Sequence, residues 1–398
     1  MGLSAALRIR GKAIVLLLLG LLLLLLILSR ALPVAFAGRE GASPRVRRSE
    51  GLSLTSRFEP YLSPPPPTQP SPFIAGRSIR LGLQIENLYE LSLPNRNFKA
   101  NGWFWLKWSE SINRLLMEHS LEVEDLIHFQ NLVDDDSLTI DTTGKPTIRS
   151  PGNDYYRRFH FSGSFFITQL EMTAFPMHRL ELPIIFELAP ISLACHDPPS
   201  SDCVALTLDS ASKGSRLGNF ADLNGYSLKG IRVEEVALRH SVNYGIDQSV
   251  TSGAIVATVV YTTNFSDAFW QHVFPVLVLT VMAILSLSLP GSLGDIRIAI
   301  PSTLLLTLIF LQIGYRNELP PLAYTTYLDW LYIYAYSLSL LLFAVFCWGA
   351  NYYTKSLLRS GEEKALRRIS RLDFILQLAA TSGLLAFLLY GLLLSLRI

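Results

Sequence analysis

Apolar residues gather into runs along this chain. Residues 13–28, AIVLLLLGLLLLLLIL, carry no charge, and further runs occupy 269–289, 296–314, 324–348 and 374–396. Each of the later runs approaches the ~20 residues a helix needs to cross a hydrocarbon core. Ahead of them, residues 77–267 show a period of two. Segments 79–85, 98–108, 160–167, 180–186 and 254–261 alternate apolar and polar positions between clusters of Asn, Gly, Pro and Asp, the pattern of short β-strands. One helical stretch, 109–118, interrupts them. The pattern predicts an immunoglobulin-like β-sandwich followed by a four-helix transmembrane bundle.

The first run has Arg8, Arg10 and Lys12 before it and Ala35-Phe36-Ala37 after it. A basic start, an apolar core and a small-x-small site predict a signal peptide over 1–37, with an uncleaved anchor helix as the alternative. Residues 38–76, with Pro64-Pro65-Pro66-Pro67, are expected to be an extended linker. The segment 351–371 holds Lys355, Arg359, Lys364, Arg367, Arg368 and Arg371, as expected of a cytoplasmic loop. The N-terminal domain and the C-terminus then lie on the outer, extracellular or periplasmic side of a plasma (inner) membrane.

Composition narrows the function. Half of the 398 residues are hydrophobic and 17% are charged, which excludes a wholly soluble enzyme and a disordered chain. The net charge of +2 gives no reason to expect a nucleic-acid partner. No metalloprotease, hydrolase, dinucleotide or phosphate-loop motif is present, so neither enzyme activity nor a cofactor is expected. Cys195 and Cys203 flank a polar turn and are expected to pair in an oxidising compartment. A metal site through Cys195, His196 and Cys203 lacks a fourth ligand, and Asp134-Asp135-Asp136 is either a divalent-cation loop or a solvated turn. Cys347, within the third membrane run, is expected to pack.

The second membrane run is striped. Steps of three and four from Asp295 reach Ala299, Thr303, Leu306, Phe310, Ile313 and Asn317 on one helix face. That face is acidic at one end, small and hydroxylic above it, apolar in the middle and polar at the far end. Copies around an axis would make a carboxylate ring and a hydrophobic constriction; a lipid-facing or packed helix is the alternative. Arg297 lies about 200° from Asp295 around the helix, so one of the two faces away.

Several stretches resemble one family. Phe98-Lys99-Ala100-Asn101-Gly102-Trp103-Phe104-Trp105-Leu106-Lys107-Trp108-Ser109-Glu110 is similar to the second strand of the ligand-binding domain of pentameric ligand-gated ion channels, the Cys-loop receptor superfamily. Phe175-Pro176-Met177-His178-Arg179-Leu180-Glu181-Leu182 resembles their signature loop. Its cysteine positions fall on Thr168 and Leu182, as in prokaryotic members that lack that disulfide. Pro275 matches the proline of the first membrane helix, and 297–320 resembles the second helix and its exit, with Leu306 at the central leucine and Leu319-Pro320 at the outer turn.

The resemblance implies a homopentameric, ligand-gated, cation-selective channel in membrane lipid, opened by an unidentified small-molecule or ionic agonist and passing permeant ions. The pore would be lined by Asp295, Ala299, Thr303, Leu306, Phe310, Ile313 and Asn317. Phe310 is bulkier than the family's usual residue there, and a non-conducting receptor of the same fold is the alternative. Trp103, Phe129 and Tyr244 fall on ligand-binding positions, with packing in the sandwich as the alternative for each. Pro176, His178, Thr263 and Pro320 fall on the gating and coupling positions, His178 and Thr263 replacing an aspartate and an arginine that usually pair. A histidine there raises the prospect of pH sensing, against a structural, neutral one.

Overall fold

The computed structural model describes residues 77–142, 148–149, 154–189, 193, 195–196, 204–209, 216–239, 250–357 and 361–397. The expected signal peptide and linker, Tyr244 and Cys203 lie outside them. The chain divides into two compact units. Among the described residues, one holds 77–170 and 180–261, and the other holds 171–179 and 262–397.

Apart from Arg179, Thr262 and Thr263 at strand ends, the first unit contains β1 (Ser78–Ser92), β2 (Asn97–Trp108), α1 (Glu110–Glu118), β3 (Ile127–Phe129), β4 (Thr139–Thr142), β5 (Ile148–Arg149), β6 (Tyr155–Phe166), β7 (Arg179–Leu188), β8 (Cys195–His196), β9 (Ala205–Leu208), β10 (Leu217–Phe220), β11 (Tyr226–Arg239) and β12 (Val250–Thr263). They form a seven-stranded sheet ordered β10-β1-β2-β6-β4, with β5 on β6 and β9 on β1, and a five-stranded sheet ordered β11-β12-β7-β3, with β8 on β12. The alternation along β2 decides its two faces. Phe98, Ala100, Phe104, Leu106 and Trp108 are buried, while Lys99, Asn101, Trp103, Trp105 and Lys107 point the other way.

The buried faces of the two sheets meet through phenylalanines. Phe104 of β2 stacks on Phe159 of β6 at 4.8 Å between ring centres, and lies 5.9 Å from Phe186 of β7. Phe129 of β3 sits 4.9 Å from Phe186 and 5.3 Å from Phe161. Tilted and edge-on ring pairs of this kind add to the large area each ring removes from water. On the opposite face of the larger sheet, the Trp105 indole lies across β1 at Gly82. A Cβ there would fall 2.1 Å from the ring, so the position requires glycine.

The second unit contains four helices long and apolar enough to cross a membrane, compatible with a multi-pass membrane protein. They are α2 (Phe265–Ser286), α3 (Gly294–Arg316), α4 (Tyr327–Leu357) and α5 (Glu362–Arg397). A π turn over Phe269–Val273 precedes Pro275 in α2, where the missing proline N–H relaxes the usual ladder. α5 docks on α4 through tyrosine hydroxyls. Tyr334 Oη donates to the Ala380 carbonyl and Tyr327 Oη to that of Phe387. Gly391 makes room for the second contact, since a Cβ there would lie 2.4 Å from Tyr327 Oη.

The expected cytoplasmic loop of 351–371 is largely helix: α4 continues to Leu357 and α5 begins at Glu362. Lys, Arg and Glu are good helix formers, and side chains tie the ends together. Tyr353 Oη donates to Glu362 at 2.8 Å, Arg368 donates to Tyr352 Oη at 2.9 Å, and Glu363 pairs with Arg367 one turn on at 2.5 Å.

Phe129→Ala should cost about 3–5 kcal/mol by leaving a cavity where the two sheets meet. Unfolding of the full chain in detergent, followed by near-ultraviolet circular dichroism, measures the loss; an unchanged midpoint would exclude Phe129 as a core support.

Candidate functional site

α3 presents two unlike faces. Arg297, Pro301, Leu304, Leu308 and Tyr315 are buried against the rest of the unit. Asp295, Ala299, Thr303, Leu306, Phe310, Ile313 and Asn317 are all exposed, with Leu306 at 54% and Phe310 at 65%. The whole predicted stripe therefore lies on the uncovered side, and Arg297 is the member of the Asp295/Arg297 pair that turns inward. Thr303 Oγ1 donates to the Ala299 carbonyl and Thr307 Oγ1 to that of Thr303, each at 3.0 Å. These hydroxyls bond back to their own helix, as side chains at such positions can.

Buried charges hold both ends of α3. At its start the Arg297 guanidinium donates to Asp373 Oδ1 of α5 at 2.6 Å and lies 4.2 Å from the centre of the Phe346 ring of α4. Gln377, one turn beyond Asp373, donates to Ser288 Oγ before α3 at 3.1 Å. At the other end Asp329 collects donors. Tyr315 Oη and Arg316 Nη2, the latter at 2.7 Å, reach Oδ1. The Thr326 backbone N–H and hydroxyl reach Oδ2 at 2.9 and 3.0 Å, and the Asp329 N–H returns a bond to Thr326 Oγ1 at 3.1 Å. Thr326 and Asp329 thus make a reciprocal capping box at the start of α4. The same carboxylate binds the last turn of α3.

The segment 171–179 packs within the helical unit. The Met172 N–H donates to Tyr324 Oη at 2.9 Å, while the Thr173 and Phe175 carbonyls accept from the Tyr327 and Leu328 N–H groups at 2.9 and 3.2 Å. The Phe175 ring stacks near Tyr315, 6.2 Å away, and lies 5.1 Å from His272 of α2. His178 and Thr263 meet. The His178 N–H donates to Thr263 Oγ1 at 3.0 Å, and the Thr263 N–H donates to the His178 carbonyl at 3.1 Å. The two residues singled out in the sequence thus bond to each other without a charged pair. Pro176 and Pro320 are both buried.

Burial pushes the His178 imidazole down to about 4, with a smaller contribution from nearby His272. Nδ1 faces the Pro176 carbonyl at 3.2 Å and so carries the proton of the neutral ring. His272 Nε2 in turn lies 3.7 Å from Glu318 Oε2, and burial raises the Glu318 carboxyl above its usual range.

No family model matches the chain, and no curated protein matches it.

The expected ligand residues separate. Trp103 lies half-buried on the face of the larger sheet opposite its core. Its Nε1 donates to Glu86 at 2.8 Å, the Arg158 guanidinium sits 4.3 Å from the ring centre and His160 packs against it at 4.7 Å. A protein cation already occupies this ring. Phe129 takes the packing alternative: it is 1% exposed, because β3 turns it between the two sheets. Cys195 lies in β8 opposite Thr251, and its expected pairing with Cys203 lies outside the described residues. Asp134 accepts from the Asp136 N–H at 3.3 Å and caps its own turn. Among the described residues no group of three or more His, Cys, Asp or Glu is placed to hold a metal.

Asp329, Asp373 and Tyr315 are site residues that the sequence reasoning missed. The available signal was charge inside or beside an apolar run, since such residues in membrane segments pair or serve function.

Asp329→Ala should remove the cap of α4 and leave the buried Tyr315 hydroxyl without its acceptor, costing about 1–3 kcal/mol. Thermal unfolding in detergent reads this, and Asp329→Asn should retain part of it through Thr326. A pH series tests His178. Above about pH 6.5 the unfolded imidazole is neutral as well; below that it binds a proton the folded site refuses. Stability should therefore fall between pH 6.5 and 4, by about 3 kcal/mol at full loss, and His178→Gln should flatten that part of the curve.

Proposed function

We propose that the chain is one subunit of a homopentameric, ligand-gated, cation-selective channel, with α3 lining the pore. The observation that carries the reading is the uncovered stripe of α3. A helix anchored by buried charge on one face leaves an acid, hydroxyls and a belt of Leu306, Phe310 and Ile313 on the other. An ionisable group in a membrane segment favours a water-filled cavity or a partner over lipid, and repeated copies of this face supply both. Asp295 would form a carboxylate ring attractive to cations, and the apolar belt would stop ions by dewetting.

In this reading the two packed sheets are an immunoglobulin-like sandwich on the outer side of a plasma membrane, sensing an agonist at subunit interfaces. The segment 171–179, strung between β6 and β7 yet packed against α2 and α4, supplies the covalent route from strand movement to the end of α3. Its Phe175 ring near Tyr315 is the contact through which the pore helix would feel it. A non-conducting receptor is the second reading, favoured by the bulk and exposure of Phe310.

Purified protein in planar bilayers tests the proposal. Leu306→Ala and Phe310→Ala should raise the current by widening the belt, and Asp295→Ala should move the reversal potential under a salt gradient toward zero. Silence of wild type and both belt variants across a broad screen of pH and ligands would sink the channel reading. A conducting Asp295→Ala variant with unchanged reversal potential would remove the acid ring from selectivity.

A further inference from the structure

The last helix carries a surface that conduction does not use. We propose that the face formed by Lys364, Arg367, Arg368 and Arg371 binds the headgroups of anionic phospholipids; this rests on α5 crossing the membrane, and not on the chain being a channel.

The four residues stand at i, i+3, i+4 and i+7, one face of α5, and all are exposed. Ala365, Ile369 and Asp373 on the opposite side are buried. The same face continues as Ile375 and Leu378, 57% and 56% exposed, and later as Leu389 and Leu393. One uncovered stripe thus passes from cations to hydrocarbon within the turn between Arg371 and Ile375. A rise of about 1.5 Å per residue makes that step about 6 Å. A phospholipid with its acyl chains along Ile375 and Leu378 would hold its phosphate at the level of the arginines.

A neighbouring helix marks the same level. Trp348 of α4, 49% exposed, stacks on Tyr352 at 5.3 Å, and Tyr352 Oη accepts from Arg368 Nη1. Aromatic residues with one wet end collect at the headgroup boundary. Acids here are few: Glu363 pairs with Arg367 at 2.5 Å and Glu362 accepts from Tyr353. Lys364 and Arg371 have no ion pair among the described residues. Exposed cations of this kind hold a soluble anion weakly, whereas an anionic membrane surface adds about fivefold in affinity for each. The partner is therefore a lipid whose charge and acyl chains are both read.

The full-length protein in neutral detergent, mixed with phosphatidylglycerol or phosphatidylcholine and examined by native mass spectrometry, tests this. Phosphatidylglycerol should be retained in preference, and Arg367→Gln/Arg368→Gln/Arg371→Gln should weaken that retention by at least about fivefold with phosphatidylcholine unaffected. For the wild type, raising salt from about 0.1 to 0.5 M should selectively release phosphatidylglycerol by screening, a readout that needs no variant to fold. Equal retention of the two lipids, salt-insensitive binding, or a folded triple variant that holds phosphatidylglycerol like wild type would overturn the site. Release of the lipid by 10 mM inorganic phosphate at constant ionic strength would assign the face to a soluble anion and overturn it equally.

Discussion

The rotation of α3 about its own axis is set by buried charge. Arg297 binds Asp373 near one end of the helix and Tyr315 binds Asp329 near the other. The two are 315 − 297 = 18 residues apart, five turns at 3.6 residues each, so they lie on one face and the anchors reinforce each other. Turning the helix would draw both away from their carboxylates. An uncompensated buried charge costs several kcal/mol, far more than the few apolar contacts a rotated helix could recover. The exposed stripe follows from these anchors, because whatever stands opposite Arg297 and Tyr315 must face outward.

The anchors also tie the elements together. Asp329 serves as the N-terminal cap of α4 and as the receiver for the last turn of α3, so the short connection between the two has little freedom at either end. Phe175 inserts at this corner, its carbonyl on the Leu328 N–H and its ring beside Tyr315. A displacement of segment 171–179 is therefore felt first by the residues that hold α3 in register. His178 and Thr263 are joined by backbone and hydroxyl bonds, without a charge that solvent could compete for.

Much of this was legible in the sequence. The five strands read from period two are all present, and the four apolar runs are four helices, because both signals come from one-sided or complete burial. What the sequence concealed has physical reasons. β11 was not anticipated since Gly230 and the pair Glu234-Glu235 interrupt its alternation, and β3 to β5 and β8 to β10 are too short to show a period. The helical ends beyond Trp348 and before Phe374 read as a loop in the sequence, because hydropathy measures lipid contact, whereas a polar helix is held by side-chain bonds. For the candidate site, the stripe from Asp295 to Asn317 could be read from spacing alone. The carboxylates that orient it could not, since pairing Arg297 with Asp373 requires knowing that α5 folds back beside α3. For Phe129 the two readings stay open in the sequence, because an aromatic residue near a strand has the same signature in a core as at a binding surface.

The hydroxyls on α3 have a polarity of their own. Because Ser302, Thr303 and Thr307 each give their proton to a carbonyl of the preceding turn, the oxygen lone pairs are what remain to be offered outward. A passage lined by such groups would present acceptors and withhold donors, so it could replace part of a cation's hydration shell while doing nothing comparable for an anion. The same internal bonds mean that the hydroxyls lose little when water withdraws from them. Sign preference and tolerance of drying would thus come from one local habit of the helix, separate from any formal charge.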